Sequence, residues 1–168
     1  MNTTIPFIDK INAGLGVIVA VLSYALGEHW FLFVAFLGLN VIDYITGYMK
    51  SRAKRTLNSS KGLDGVVKKF GYWLMIVVAF GMSGIFIEVG EVIGLNLHFT
   101  TMIGWFVLAS LIINEFRSII ENFFEMGYHV PEILTKGLEV ANKALDAAED
   151  TLDGDGHWNI QESRDDEE

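Results

Sequence analysis

Between Phe70 and Ile87 the chain runs for 18 residues, FGYWLMIVVAFGMSGIFI, without one charged side chain. Ile11 to Gly27 (INAGLGVIVAVLSYALG), Trp30 to Ile42 (WFLFVAFLGLNVI, with YITGY extending the apolar character to Tyr48) and Phe99 to Ile113 (FTTMIGWFVLASLII) are uncharged in the same way. A helix of about 18 residues is roughly 27 Å long, close to the hydrocarbon thickness of a bilayer. Four such runs in 168 residues leave too little polar sequence to cover them in water. The predicted fold class is therefore all-α and integral to a membrane, and a mean hydropathy of +0.37 agrees. A soluble bundle with an unusually apolar core is the alternative. A three-span version, with the short first run lying in the interface or spanning in one state only, is a closer rival.

Charge orients these runs. Residues 43–69 hold seven of the twelve Lys and Arg residues. Of these, Arg52, Lys54, Arg55, Lys61, Lys68 and Lys69 form, with Lys50, a basic loop over 49–69. The intended outer connections, 27–29 and 88–98, contain neither Lys nor Arg. Positive residues beside short spans stay on the cytoplasmic side. The expected organisation is a cytoplasmic amino-terminal segment 1–10, a transmembrane region 11–113 with spans at 11–27, 30–48, 70–87 and 99–113, amphipathic cytoplasmic helices over 114–152 and an acidic disordered tail over 153–168. Asp9 and Lys10 precede the first run without a convincing cleavage pattern after it, so no signal peptide is expected. The net charge of −9 belongs to residues 132–168, which carry twelve acids against three cations. Such a tail repels phosphate backbones and argues against nucleic acid as a partner.

No chemistry of the catalytic kind is legible. There is no cysteine, no GxSxG, no phosphate-binding GxxxxGK[ST] and no HExxH, so the chain is not expected to be an enzyme or to bind a cofactor or metal. Asp153, Asp155, Gly156 and Glu162 match part of a calcium loop, but Thr151 would occupy its first position and no helix follows. His29 and His98 fall beside outer acids, where interfacial solvation and acid sensing are both open.

The polar residues inside the runs are few. Asn40, Asp43, Gly47 and Lys50 fall within about 80° of one another on a helix. With Thr46 they offer a helix contact or a lumen lining, or, for Asp43, a local pairing at the interface. Beyond Ile113, Phe116, Ile119, Ile120, Phe123 and Phe124 alternate at helical spacing with Asn114, Glu115, Arg117, Ser118, Glu121, Asn122 and Glu125, which predicts a juxtamembrane amphipathic helix. Past Gly127 and Pro131, the series Leu134, Leu138, Ala141, Leu145, Ala148 and Leu152 forms a short heptad seam, suited to packing on the preceding helix or to self-association. Gly81 with Gly84 marks a face where helices could pack closely in lipid.

Three segments, DYITGYMKSR (43–52), SSKGLDGVVKKFG (59–71) and NEFRSIIENFFEMGYHVPEIL (114–134), resemble the phage-lysis and toxin-secretion holins of Gram-positive bacteria and their phages. With the spans between them they cover most of residues 5–135. The resemblance implies a multi-pass protein of the bacterial host's cytoplasmic membrane, with both termini cytoplasmic. It would self-associate and open a lesion at a set time, letting a lysin or secreted toxin cross to the wall. Ser83 stands about where that family often carries an acid, and the acidic tail is longer than usual for it. Two other classes stay open: a small ion channel or transporter subunit, and a lysis inhibitor or membrane scaffold that binds a true holin.

Overall fold

The computed structural model describes residues 16, 20, 27–55 and 59–152, so the expected first span and the acidic tail lie outside the described residues. Helix α1 is Trp30–Ala53, α2 is Ser59–Ile93, α3 is Thr101–Glu125 and α4 is Glu132–Leu152, with a 3-10 turn at His98–Thr100 leading into α3. There is no strand among the described residues. Three helical stretches, Trp30–Ala53, Gly62–Ile93 and His98–Glu125, are long and apolar enough to cross a membrane.

Glycine ends two of these helices. Gly94 and Gly127 have φ of +77° and +87°, a region open to glycine at little cost. At α2 the Leu95 N–H reaches back to Gly90 O at 2.8 Å, and at α3 the Tyr128 N–H reaches Phe123 O at 3.1 Å. Both close the last turn by satisfying carbonyls that the helix would otherwise leave orphaned. Gly90 serves the same turn, since a Cβ there would stand 2.6 Å from Leu95 O.

The expected basic loop over 49–69 is mostly helix: α1 runs on to Ala53 and α2 begins at Ser59. Glycine and charge density make this stretch look like a loop. Leu63, Val66, Val67 and Phe70, however, recur at helical spacing on an outward apolar stripe that carries the helix through Gly62 and Gly65.

α3 lies between its neighbours. It packs along both α1 and α2, which meet each other only briefly, and α4 folds back against it. The face α3 turns inward is Gly104, Leu108, Leu111, Glu115, Ile119 and Asn122, all buried at spacings of three and four. Its N-terminal half meets Phe33 and Phe36 of α1 and Ile76 of α2. Around this core, Phe80 and Trp105 meet edge to face at 5.0 Å, Phe33 lies 5.6 Å from Phe80, and Phe36 lies 5.2 Å from Trp73. At the same end, the Ser83 hydroxyl donates to Thr100 O at 2.6 Å, tying α2 to the turn before α3. Most other large apolar side chains, including Val77, Val78 and Ile85 of α2, point outward. Only 17% of the apolar window of α2 is buried. In water such a surface would aggregate; in lipid it is solvated.

On α4, Leu138, Leu145 and Ala148 are half-buried while Leu134 and Ala141 are exposed, so the heptad seam is only partly covered within the chain.

Candidate functional site

Three helices each bring one ionisable side chain to the same point. Lys69 of α2 lies 2.9 Å from Asp43 Oδ2 of α1 and in direct contact with Glu115 Oε2 of α3. Each stands ten residues, about 15 Å along its helix, from the end that carries the basic residues. Glu115 is 1% exposed, and the side chains of Asp43 and Lys69 are 14% and 16% exposed. Two turns further along α3, Asn122 Nδ2 donates to Asp43 Oδ1 at 3.0 Å and to Thr46 Oγ1 at 3.1 Å. Asn114 Nδ2 donates to the Tyr72 hydroxyl at 3.0 Å. A charge at membrane depth costs several kcal/mol unless it is paired or hydrated, and here one ammonium serves two carboxylates. Beside them opens a cavity of about 300 Å³, lined in part by Gly65, Lys68, Arg117, Ser118 and Glu121.

The helices position this cluster for simple reasons. On α3, Glu115 and Asn122 continue the inward stripe of Leu108 and Leu111. On α1, Asn40, Asp43 and Thr46 continue that of Phe33 and Phe36. Asn40 is buried, with Nδ2 donating to Phe36 O at 2.7 Å and Oδ1 buried without a hydrogen-bond partner. Gly47 faces α3, and a Cβ there would lie 3.7 Å from Asn122 Nδ2.

The expected polar face of the juxtamembrane segment is thus inverted in part. Glu115 and Asn122 are buried, whereas Phe116 and Phe124 are exposed. An amphipathic pattern read for water puts the polar face outside; in lipid the apolar face is the outer one. Ser118 and Glu121 line the cavity, Glu121 with an exposed side chain.

Among the basic residues, Lys69 enters the cluster, Lys68 sits over the Tyr72 ring at 5.7 Å, and Arg52 and Arg55 are exposed. The Lys61 side chain lies outside the described residues. Lys50 and Lys54 reach Glu125 at 3.4 and 2.5 Å, closing α1 on α3. These groups are between 27% and 45% exposed, so solvent screens the contact and it contributes little. Glu125→Gln is accordingly expected to shift the unfolding midpoint of the detergent-solubilised chain by no more than about 4 °C, with the shift disappearing at high salt.

Gly81 and Gly84 face outward with nothing within 4 Å of an added Cβ. The glycine that does admit a neighbouring helix is Gly104, unmarked by the sequence reading. Tyr72 and Thr100 were also missed. A hydroxyl in an apolar run has no signal of its own beyond the need for a partner.

A family model described as the bacteriophage holin family matches residues 20–143. The chain belongs to the bacteriophage holin family. Among its relatives is a probable holin of Bacillus phage phi105, 32% identical over 120 residues that cover 70% of this chain and 78% of the relative. Uncharacterised proteins of Halalkalibacterium halodurans (31% over 124 residues, 74% of this chain and 87% of the relative) and Listeria innocua (34% over 117 residues, 68% and 74%) are similar over the same extent. No solved structure matches the chain. The holin match spans α1, α2, α3 and the whole ionic cluster, and leaves the acidic end outside. With three apolar helices of spanning length, this holin-family chain is a multi-pass membrane protein.

Proposed function

We propose that the chain is a holin: it associates with copies of itself in the bacterial cytoplasmic membrane and opens a lesion through which a lysin, or a secreted toxin, reaches the wall. The observation that carries this reading is the segregation within the bundle. Three spanning helices of a holin-family chain turn Asp43, Lys69, Glu115 and Asn122 toward one another and most of their large apolar side chains outward. Such a chain is stable in lipid as a closed bundle, yet holds the polar groups a water-filled opening needs. It does no covalent chemistry.

The orientation follows from charge. Lys50, Arg52, Lys54, Arg55, Lys68 and Lys69 lie toward one end of the bundle, where α3 also ends and α4 begins. Cytoplasmic placement of that end satisfies the preference of Lys and Arg for the inner side. Ile11 to Gly27 then serves as the first of four spans, both termini are cytoplasmic, and α4 lies on the cytoplasmic side as an amphipathic helix. Gly81 and Gly84, outward and uncovered, are placed for contact between copies.

Expression in a bacterium with and without a cytoplasmic lysin tests the reading. A holin gives abrupt loss of viability, with release of large cytoplasmic proteins and lysis only when the lysin is present. Ion leakage in viable cells would replace it by a channel subunit. A harmless chain that delays lysis by another holin would replace it by an inhibitor.

A further inference from the structure

In the described bundle Asn40, Asp43, Glu115 and Asn122 are turned inward, although Lys68 and Arg117 beside the cluster are exposed. At the level of Asp43 the outward surface of α1 is Val41, Ile42, Tyr44 and Ile45, and that of α3 beside Glu115 is Phe116 with Arg117. Copies assembled through these outer faces would line most of an opening with aliphatic and aromatic side chains, which hold water poorly in lipid. The groups that could are Asn40, Asp43, Glu115 and Asn122, and they are engaged between helices.

We infer that the Asp43–Lys69–Glu115 cluster is a latch that keeps each copy closed, and that the lesion forms only when α1, α2 and α3 part at this point and turn these residues to water. This rests on the lesion-forming reading above. Lys69 is the keystone, the ammonium that touches both carboxylates. Asn122 holds Asp43 in place through its other oxygen. Asn40 favours the open form, because its buried Oδ1 lacks a partner in the closed bundle and gains water on opening. Without Lys69, two carboxylates are left facing each other in a site of low polarity, and the closed form is disfavoured. Neutralising all three groups does the reverse, because it is the removal of one partner alone that strands a buried charge, and with all three neutral no charge is left to draw water in.

The chain has no cysteine, so one introduced thiol reports alone. Ala79 on α2 is 5% exposed and lies outside the latch. Carried in the full-length chain, Ala79→Cys is probed with a water-soluble maleimide through the period of induction, while lysis is followed in the presence of a lysin. With the latch intact, Cys at 79 is expected to stay unlabelled until lysis begins, and Lys69→Arg is expected to behave alike. With Lys69→Met, labelling starts as soon as the chain appears, at a rate on the order of tenfold higher, and lysis is early. With Asp43→Asn, Lys69→Met and Glu115→Gln combined, labelling and lysis are both delayed past the normal time. Should Lys69→Met fail to accumulate, the comparison of the triple variant with the intact latch decides: simultaneous labelling and lysis in the two overturns the latch. Lysis with position 79 never labelled also overturns it, leaving the lesion reading in place. Labelling that follows the latch variants while the lysin never escapes keeps the latch and removes the lesion reading.

Discussion

An Asn122→Asp chain is expected to lose the contact between α1 and α3 and to unfold in detergent at a midpoint lower by about 5 to 10 °C. Asn122 is 4% exposed, and its amide gives Asp43 Oδ1 a donor at 3.0 Å. The substitution puts a second carboxylate in that place, 3.1 Å from the Thr46 hydroxyl, with no further cation. Removing the donor costs about 1 to 3 kcal/mol, and more where the partner is charged. For a chain of this size each kcal/mol corresponds to about 2 to 4 °C. Combining Asn122→Asp with Asp43→Asn reverses the hydrogen bond while keeping one carboxylate and one amide, and most of the loss is expected to return. A double variant as unstable as Asn122→Asp alone would show that the pair does not hold α1 on α3.

The other large effect is expected at Gly104. A Cβ there would come within 2.6 to 2.7 Å of the Phe80 ring. The ring has little room to yield, because Phe33 and Trp105 stand against it at 5.6 and 5.0 Å. Gly104→Val is therefore expected to force α2 off the N-terminal half of α3. Overpacking of this kind costs about 1 to 3 kcal/mol or more, read as a lowered midpoint and as protease cleavage in the 94–100 connection. Phe80→Ala in the same chain removes the obstruction and is expected to recover part of the loss. Equal midpoints for Gly104→Val and the unaltered chain would mean that the helices do not approach here. In lipid, where apolar burial gives little drive between helices, close fit and polar contacts set how they associate, so both sites bear on how α1 and α2 sit on α3.

These two positions differ in how far the sequence exposes them. Asn122 and Glu115 could be read as polar residues on a helix, but their periodicity with Phe116, Ile119 and Phe123 says only that the helix has two faces. Which face is inner depends on the solvent, and for the last turns before Glu125 the water reading put Glu115 and Asn122 on the wrong side. Asp43 with Asn40, Thr46 and Lys50 was legible as a stripe, because a polar residue in an uncharged run is conspicuous. Its partner was not: Lys69 was read with its basic neighbours as an orienting charge, since nothing in a run of lysines marks the one that turns inward. Gly104 carries no mark at all among the glycines of the chain.

The sequence by itself determined that three of the uncharged runs are helices long enough to span a bilayer, that one helix stops at Gly127, and that positive charge concentrates over 49–69. Each of these depends on neighbours along the chain: residue type, period and local backbone freedom. Only the tertiary structure decided that Asp43, Lys69 and Glu115, from three different helices, share one buried point, that α3 rather than α1 or α2 is the middle helix, and that Phe80 lies on Gly104. The physical reason is that pairing of buried charges and interlocking of side chains are set by distances between helices, and no regularity within a single helix encodes which other helix it will meet.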